Sequence, residues 1–197
     1  MRDLLTVPLH SERLDLVPLR TGHATEMAAA LADPALYAFT GGAPSTADAL
    51  RARYARMLAG APDPGVDWCN WVLRLRADGS LAGTVQATLA PAGQATPPTG
   101  RERAASPGSP TSGSARTAGR VAEIAWVVGP HWQGRGLASE AARALVAWLE
   151  TQDVSTVVAH VHPDHHASAA VATAAGLSPT AGRQDGEVRW ELILPRA

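Results

Sequence analysis

The chain has 197 residues, a formal net charge of −1 at pH 7 and 46% hydrophobic residues, which suits one domain with a sizeable core. A charge this close to zero provides no electrostatic field to hold a nucleic acid, so nucleic acid is disfavoured as a partner. Cys69 is the only cysteine, which excludes an intramolecular disulfide and a thiolate metal cluster.

The N-terminal residues do not resemble a targeting segment. No apolar run follows Met1, Arg2 and Asp3 to suggest a signal peptide or a membrane span. We therefore expect a soluble protein of the cytoplasm that does not insert into a membrane.

The first half of the chain predicts three strands and two helices. In chain order we expect a strand over residues 13–20, helices over residues 24–32 and 45–60, and strands over residues 68–75 and 81–89. Ser45 is the expected N-cap of the second helix, because a serine hydroxyl can accept a hydrogen bond from the first helical N–H groups. Asp78 and Gly79 form a turn signal between the last two strands, which predicts an antiparallel hairpin.

Residues 91–120 differ in composition from the rest of the chain. Pro, Gly, Ser, Thr and Ala dominate this segment and large apolar residues vanish, so it cannot bury a core. We predict a disordered insertion within a single domain spanning residues 1–197, because neither side of the segment alone supplies a complete sheet and ligand loop. A passive insertion is the favoured interpretation, and a basic flap over a ligand site is the alternative.

The second half of the chain predicts strands alternating with helices. Residues 121–128 are apolar enough for a mostly buried strand, which Gly129 and Pro130 end. After it we expect a helix over residues 137–149, a strand over residues 154–162, a short helix over residues 167–175 and a last strand over residues 187–194. The predicted fold class is therefore α+β with a mixed sheet.

Two glycines between the buried strand and the central helix indicate an anion-binding site. Gly134 and Gly136 open the helix, whose first N–H groups lack internal partners and lie at the positive end of its dipole, so a phosphate can approach them. The dinucleotide fingerprint would require a third small residue and a later acidic ribose ligand; Ser139 stands at the third position without that acid. The nucleotide P-loop requires a lysine, and the chain has none.

The segment Gln133-Gly134-Arg135-Gly136-Leu137-Ala138 matches the pattern Arg/Gln-x-x-Gly-x-Gly/Ala and closely resembles the acetyl-CoA loop of the GNAT acyltransferase superfamily. The resemblance covers residues 13–194 apart from the insertion. Local matches at residues 13–19, at residues 162–168 and at Gly176-Leu177 look like the RimJ/RimL-like branch, which acetylates protein N-termini and has relatives that act on small amines.

This resemblance implies a fold and an activity. The fold would be a mixed, mostly antiparallel central sheet, flanked by helices and splayed between its fourth and fifth strands at a bulge in the fourth. The activity would be transfer of acetyl from acetyl-CoA to a primary amine, a protein N-terminus or a small molecule, by direct attack in a ternary complex.

The resemblance also implies a set of coenzyme-binding residues. The strand backbone that meets the pantetheine corresponds to Trp126, Val127 and Val128. The pyrophosphate would be held by backbone N–H groups of Gln133, Gly134, Arg135, Gly136, Leu137, Ala138 and Ser139. Arg135 would add charge, although a solvated loop arginine is an equal alternative. His165 stands where the family has a coenzyme-contacting asparagine, and it can still donate one hydrogen bond.

Two residues match catalytic positions of the family. Glu123 corresponds to the carboxylate that deprotonates the amine, with a half-buried structural carboxylate as the alternative. Ser168 corresponds to the proposed donor to the departing thiolate, with an N-cap of its short helix as the alternative. The tyrosine that many GNAT enzymes use as general acid falls at Ala172, so its role must pass to Ser168 or water, or lapse.

Other functions remain as alternatives. The missing tyrosine suggests a CoA-binding sensor or interaction module with little catalysis. A dinucleotide-dependent enzyme is disfavoured by the glycine spacing.

The histidines at positions 160, 162, 165 and 166 lack the carboxylate or cysteine spacing of a metal site, so no metal is expected. The identity of the acceptor stays open, and so does the oligomeric state, with a homodimer among the options. Residues 37–44 would either pack with their aromatic side chains or line an acceptor pocket, and packing is favoured.

Overall fold

A computed structural model describes residues 6–39, 41–93 and 119–195. The strands in these ranges are β1 (Leu9–His10), β2 (Leu14–Pro18), β3 (Asp67–Leu75), β4 (Leu81–Pro91), β5 (Arg120–Val128), β6 (Val154–Val161), β7 (Ser178–Gln184) and β8 (Glu187–Ile193). The α-helices in the same ranges are α1 (Ala24–Ala30), α2 (Ala47–Leu58), α3 (Leu137–Glu150) and α4 (His166–Ala174). Short 3-10 helices lie at Thr21–His23, Pro34–Tyr37 and Pro130–Trp132. None of the helices in the described residues is long and apolar enough to cross a membrane.

All eight strands belong to one sheet with the order β1-β2-β3-β4-β5-β6-β8-β7. Neighbouring strands are antiparallel except β5 and β6, which are parallel because α3 carries the chain from the end of one to the start of the other. The predicted mixed, mostly antiparallel α+β sheet is therefore confirmed.

The helices cover opposite faces of the sheet. Helices α3 and α4 bury one face together with Ala122, Ile124 and Val128 of β5. Helices α1 and α2 bury the other face, where Met27 and Tyr54 pack. Because side chains alternate along a strand, the odd-numbered residues of β5 face the α1 and α2 side.

The parallel pair β5 and β6 separates part-way along its length. The two strands pair from Arg120 with Val154 to Glu123 with Val158, and no β5 residue beyond Glu123 pairs with β6 in the described chain. On its other edge β6 pairs with β8 from Thr156 to Val161, so it remains in the sheet on both sides of this point. These are the fourth and fifth strands of the sequence prediction, so the expected splay is confirmed.

The bulge expected at this divergence is absent from the described strands. The register between β4 and β5 is uninterrupted from Gly83 with Val128 to Pro91 with Arg120. The irregularity in the pairing of β5 with β6 lies between Arg120 and Val121, at the paired end. Beyond Glu123, β5 stays paired with β4 and β6 stays paired with β8, and only the pairing between β5 and β6 ends.

Several element boundaries differ from the sequence prediction. Thr46, and not Ser45, caps α2 by accepting a hydrogen bond of 3.2 Å from the Ala49 N–H. Pro91 and Arg120, the ends of the predicted insertion, are paired strand residues. The Arg120 guanidinium binds the carboxylate of Asp67 on β3 at 2.6 Å, which links β5 to β3 across β4. The predicted disorder of the insertion concerns residues 94–118, which lie outside the described residues.

Two strands were missed by the sequence analysis. Strand β1 has only two residues, too few for a pattern to register. Strand β7 is exposed over most of its length and contains Pro179 and Gly182, which are rare in strands, so it shows no alternation.

Gly83 holds the end of β5 close against β4. A Cβ atom on Gly83 would overlap the carbonyl oxygen of Val127 and lie 2.9 Å from the Val128 Cα atom. We expect Gly83→Ala to lower the free energy of unfolding by about 1–3 kcal/mol, the usual range for overpacking, as measured by urea denaturation.

Gly22→Ala is the matched control, because no atom lies within 4 Å of the added Cβ and the backbone is not left-handed there. It should change the free energy of unfolding by less than about 0.5 kcal/mol. Equal effects of the two substitutions would contradict the close approach of β4 and β5.

Candidate active site

A glycine loop connects the end of β5 to α3. Gly134 and Gly136 have φ angles of +71° and +74°, a left-handed conformation that only glycine adopts without strain. Gln133 ties this loop to β5, because its side-chain amide donates to the Val128 carbonyl at 2.9 Å. The backbone N–H of Gln133 is also engaged, on Pro130 at 3.2 Å. Gln133 therefore anchors the loop, unlike the expectation that its N–H faces a phosphate.

The N-terminus of α3 presents backbone donors. The N–H of Glu140 bonds the Gly136 carbonyl at 3.0 Å and closes the first helical turn. By helix geometry the N–H groups of Leu137, Ala138 and Ser139 precede any helical partner and lie at the positive end of the dipole. This arrangement suits a diphosphate.

A buried carboxylate fixes the start of α3 to the turn between β1 and β2. Glu140 is 7% exposed and accepts four contacts of 2.7 Å, from the Ser11 hydroxyl, the Arg13 N–H and two guanidinium nitrogens of Arg13. The third guanidinium nitrogen of Arg13 donates to the Arg135 carbonyl at 2.9 Å. Burial alone would raise the pKa of Glu140, but these bonds outweigh it and lower that pKa below its ordinary value of 4.5.

This clamp was missed by the sequence analysis. Its partners lie 127 residues apart, and the available signal was a carboxylate at the first turn of an apolar helix. The side chain of Arg135 itself is exposed, as both interpretations of that residue allow.

Trp126 and Ser168 meet between β5 and α4. The Trp126 indole N–H donates to the Ser168 hydroxyl oxygen at 3.0 Å. Indole can only donate, so Ser168 accepts here and its own proton is left to point elsewhere. The Ser168 N–H donates to Nδ1 of His165 at 3.4 Å, and His165 is thus the N-cap of α4. The alternative in which Ser168 caps the helix is wrong.

His165 is also held by an aromatic contact. Its ring stacks on Phe39 with centroids 4.4 Å apart, and His162 lies 5.3 Å from the same ring. Burial lowers the pKa of His165, and the nearby His162 and His166 lower it further. A neutral ring whose Nδ1 accepts from Ser168 carries its proton on Nε2. Phe39 thus contacts both histidines while 37% of its surface stays exposed, and the favoured packing of residues 37–44 stays a prediction.

Glu123 lies on the opposite face of the sheet. It is the last β5 residue to pair with β6, and its side chain is 7% exposed. One carboxylate oxygen, Oε1, is 3.4 Å from Nδ1 of His160, whose side chain is 8% exposed. The other oxygen, Oε2, is buried and has no hydrogen-bond partner among the described residues. A buried carboxylate oxygen without a partner is costly, which points to a ligand that supplies one.

The two predicted catalytic residues therefore lie on opposite sides of β5. Ser168 is on the side of α3 and α4, and Glu123 is on the side of α1 and α2. Ala172, at the usual tyrosine position, is fully buried in the core.

A family model described as an acetyltransferase (GNAT) domain matches residues 13–178. The chain belongs to the GNAT acetyltransferase family. This confirms the predicted family and the predicted enzyme class, an acyltransferase that depends on acetyl-CoA. No curated protein sequence matches this GNAT chain significantly.

Solved structures share the GNAT fold at low identity. An acetyltransferase from Agrobacterium tumefaciens str. C58 is 24% identical, with 96% of this chain and 95% of that chain covered and a TM-score of 0.66. RimL, a ribosomal L7/L12 alpha-N-protein acetyltransferase in complex with coenzyme A, is 15% identical, with 95% and 98% covered and a TM-score of 0.63. The aminoglycoside acetyltransferase AAC(6')-Ib in complex with coenzyme A is 18% identical, with 90% and 93% covered and a TM-score of 0.62.

Two histidines of the expected cluster in this GNAT protein make contacts within the protein. His160 pairs with Glu123, and His165 caps α4. Across residues 6–39, 41–93 and 119–195, no group of three or more His, Cys, Asp or Glu side chains is arranged to hold a metal ion.

The glycine loop of this GNAT protein yields a matched pair of substitutions. Gly134→Ala should cost about 1–2 kcal/mol of unfolding free energy, because φ is +71° there and no atom obstructs the added Cβ. It should also weaken acetyl-CoA binding in calorimetry by about tenfold or more, because the loop N–H groups must move.

Gly79→Ala is its control, since Gly79 has a φ of +78°, equal free space and a place in the β3–β4 turn. It should show the same loss of stability with unchanged acetyl-CoA affinity. Equal affinity loss in both variants would refute the role of the loop.

The Glu140 clamp predicts a pH dependence of stability. Because the pKa of Glu140 is lowered by folding, its contribution is fully present above 4.5 and is lost as the pH falls through the lower folded value. Glu140→Gln should lower the unfolding free energy by about 2 kcal/mol at pH 7, and the difference from wild type should shrink below pH 4.5.

Urea denaturation at several pH values measures this difference. Glu150→Gln, at the exposed far end of α3, is the control and should stay within about 0.5 kcal/mol of wild type. A Glu140→Gln difference that is constant with pH would rule out the clamp as its source.

Proposed function

We propose that this GNAT protein transfers acetyl from acetyl-CoA to a primary amine by direct attack within a ternary complex. One observation carries the proposal: the anion-binding start of α3 follows a strand whose pairing with β6 ends at a buried carboxylate with an unpartnered oxygen. The candidate phosphate site thus follows the strand that carries the unpaired edge and the proposed proton acceptor, which supports the proposal.

The residues of this chain fit the coenzyme. Backbone N–H groups from Gly134 to Ser139 would hold the diphosphate, with Arg135 adding charge. The unpaired edge of β5 at Trp126, Val127 and Val128 would pair with the amides of the pantetheine arm, which completes otherwise unpaired backbone groups. His165 would donate from Nε2 to the coenzyme. The coenzyme supplies the activated acetyl thioester.

Glu123 would accept the first proton. An acceptor amine arrives protonated at neutral pH, and Oε2 of Glu123 takes that proton so that the nitrogen lone pair can attack the acetyl carbon. A freed β5 N–H stabilises the charge that develops on the acetyl oxygen. The C–N bond forms and the C–S bond breaks.

Ser168 would supply the proton for the departing thiolate. Trp126 holds the serine oxygen as an acceptor, so the serine proton is available for donation. The attacking nitrogen loses a second proton. That proton goes to the Ser168 oxygen and restores the hydroxyl that protonated the thiolate. The proton on Glu123 returns to solvent, and the products are the amide and the free thiol.

The family resemblance and the solved structures with this fold support a class of acceptor. These include acetyltransferases of ribosomal proteins and of aminoglycosides. We infer that the acceptor is a protein N-terminus, as in the RimJ/RimL-like branch, or a small-molecule amine, and that the protein works in the cytoplasm.

A CoA-binding sensor is the second candidate. The buried alanine at position 172 favours it, because the phenol that many GNAT enzymes use as an acid is absent. Such a protein would bind the coenzyme tightly and turn over slowly on every amine.

An amine panel tests the proposal. Purified protein with acetyl-CoA is offered peptides beginning with serine or alanine, aminoglycosides and polyamines, and products are detected by mass spectrometry. We expect at least one amine to be acetylated. Glu123→Gln should lower kcat by about 100-fold, the scale of general-base catalysis, with acetyl-CoA affinity unchanged.

Glu150→Gln removes an exposed carboxylate from the end of α3 and should leave kcat unchanged. Tight acetyl-CoA binding with no product from any amine would favour the sensor. An absence of binding heat with acetyl-CoA or CoA would reject both candidates.

A further inference from the structure

We propose that His160 is a positioning residue for acetyl transfer, which acts through Glu123 by occupying Oε1 and leaving Oε2 as the proton acceptor. The proposal rests on the proposed function, because it assigns His160 to the proton-accepting side of that same site. The pair lies at the point where β5 and β6 separate.

The two residues are brought together by strand register. Glu123 pairs with Val158 of β6, and His160 is two residues further along β6 on the same face. The pairing of the two strands ends at Glu123 and Val158. The His160 side chain is therefore the first one on this face of β6 after the last paired residue. Both side chains are more than nine-tenths buried, and Nδ1 is 3.4 Å from Oε1.

Comparison with the other buried glutamate indicates that Glu123 is built for a ligand. Glu140 is equally buried, and both of its oxygens are saturated by Ser11 and Arg13. Glu123 has one oxygen near His160 and one buried oxygen without a partner. A purely structural carboxylate would be expected to resemble Glu140, because an unpaired buried oxygen lowers stability.

The charged residues on β8 next to this site are not partners of Glu123. Arg189 lies opposite His160 on β8, and Glu191 lies opposite Val158. These two side chains bind each other at 2.9 and 3.1 Å, so the guanidinium is directed to Glu191. On β4, the buried Thr88 lies opposite Glu123.

The chemistry of the pair follows from donor and acceptor roles. A carboxylate only accepts, so a neutral His160 that bonds it must carry its proton on Nδ1. The bond holds the carboxylate in one rotamer, and the ammonium group of the acceptor gives its proton to Oε2. A contact of 3.4 Å is long for a hydrogen bond, and such contacts often shorten when substrates bind.

Kinetics of two His160 variants test the positioning role, with the amine acetylated fastest in the panel. His160→Phe keeps a ring but no nitrogen and should lower kcat by about tenfold or more, with little change in acceptor KM or acetyl-CoA affinity. His160→Asn places a polar atom near the position of Nδ1 and should recover kcat to within about threefold of wild type.

A double-mutant cycle tests whether His160 acts through Glu123. In the Glu123→Gln background, His160→Phe should have no further effect on kcat, because residues that act as a unit are not additive. The proposal is overturned if His160→Phe alone stays within about twofold of wild type, if His160→Asn is as slow as His160→Phe, or if the two losses multiply.

His10 supplies a matched control. His10 and Asp15 form an exposed histidine–carboxylate pair at 2.8 Å, away from the gap. His10→Phe should leave kcat, the acceptor KM and the acetyl-CoA affinity unchanged. This result would separate the effect of the His160–Glu123 pair from the general effect of losing a histidine.

A spectroscopic measurement keeps the inference separate from the proposed function. In protein saturated with acetyl-CoA at pH 7, the ¹⁵N shifts of the His160 ring should show the proton on Nδ1, and Glu123→Gln should change them. If no amine is acetylated, the proposed function fails, but the ¹⁵N shifts still test whether His160 bonds Glu123. A proton on Nε2 in the wild type, or identical shifts in the wild type and the Glu123→Gln variant, would refute that bond.

Discussion

The separation of two parallel strands is the constraint on which the rest of the structure depends. Strand β5 pairs with β4 along its whole length and with β6 only as far as Glu123. Backbone groups beyond that residue have no strand partner on the β6 side, and unpaired backbone groups inside a protein require another partner. Strands β4 and β8 hold the two sides of the gap, and a peptide-like ligand is the proposed partner of the open edge of β5.

Two close contacts keep the glycine loop in place relative to this gap. Gly83 allows β4 to press against the carbonyl of Val127, which fixes the last residues of β5 before the loop. The Arg13–Glu140 clamp then fixes the first turn of α3 and the Arg135 carbonyl from the other side. The anion-binding N–H groups are therefore held by the sheet and by a distant turn, and not by the loop alone.

The faces of the sheet divide the two halves of the proposed chemistry. The even-numbered Trp126 reaches Ser168 beside α4, and the odd-numbered Glu123 reaches His160 on the face covered by α1 and α2. Alternation along one strand thus separates a proton donor for the thiolate from a proton acceptor for the amine. The pairing of β5 with β6 ends at Glu123, and under the proposed function the two substrates would meet beyond that residue.

Most of the elements and the family could be predicted from the amino-acid sequence, because both depend on local spacing. Alternation and helical periodicity placed most strands and helices, and Gly134 and Gly136 marked the loop, since a left-handed backbone before a helix requires glycine. Only the tertiary structure decided which partners these residues have. Arg13 and Glu140 are 127 residues apart, Trp126 and Ser168 are 42 apart, and Glu123 and His160 are 37 apart. Such contacts depend on strand register and on the face each helix covers, and no local pattern encodes either.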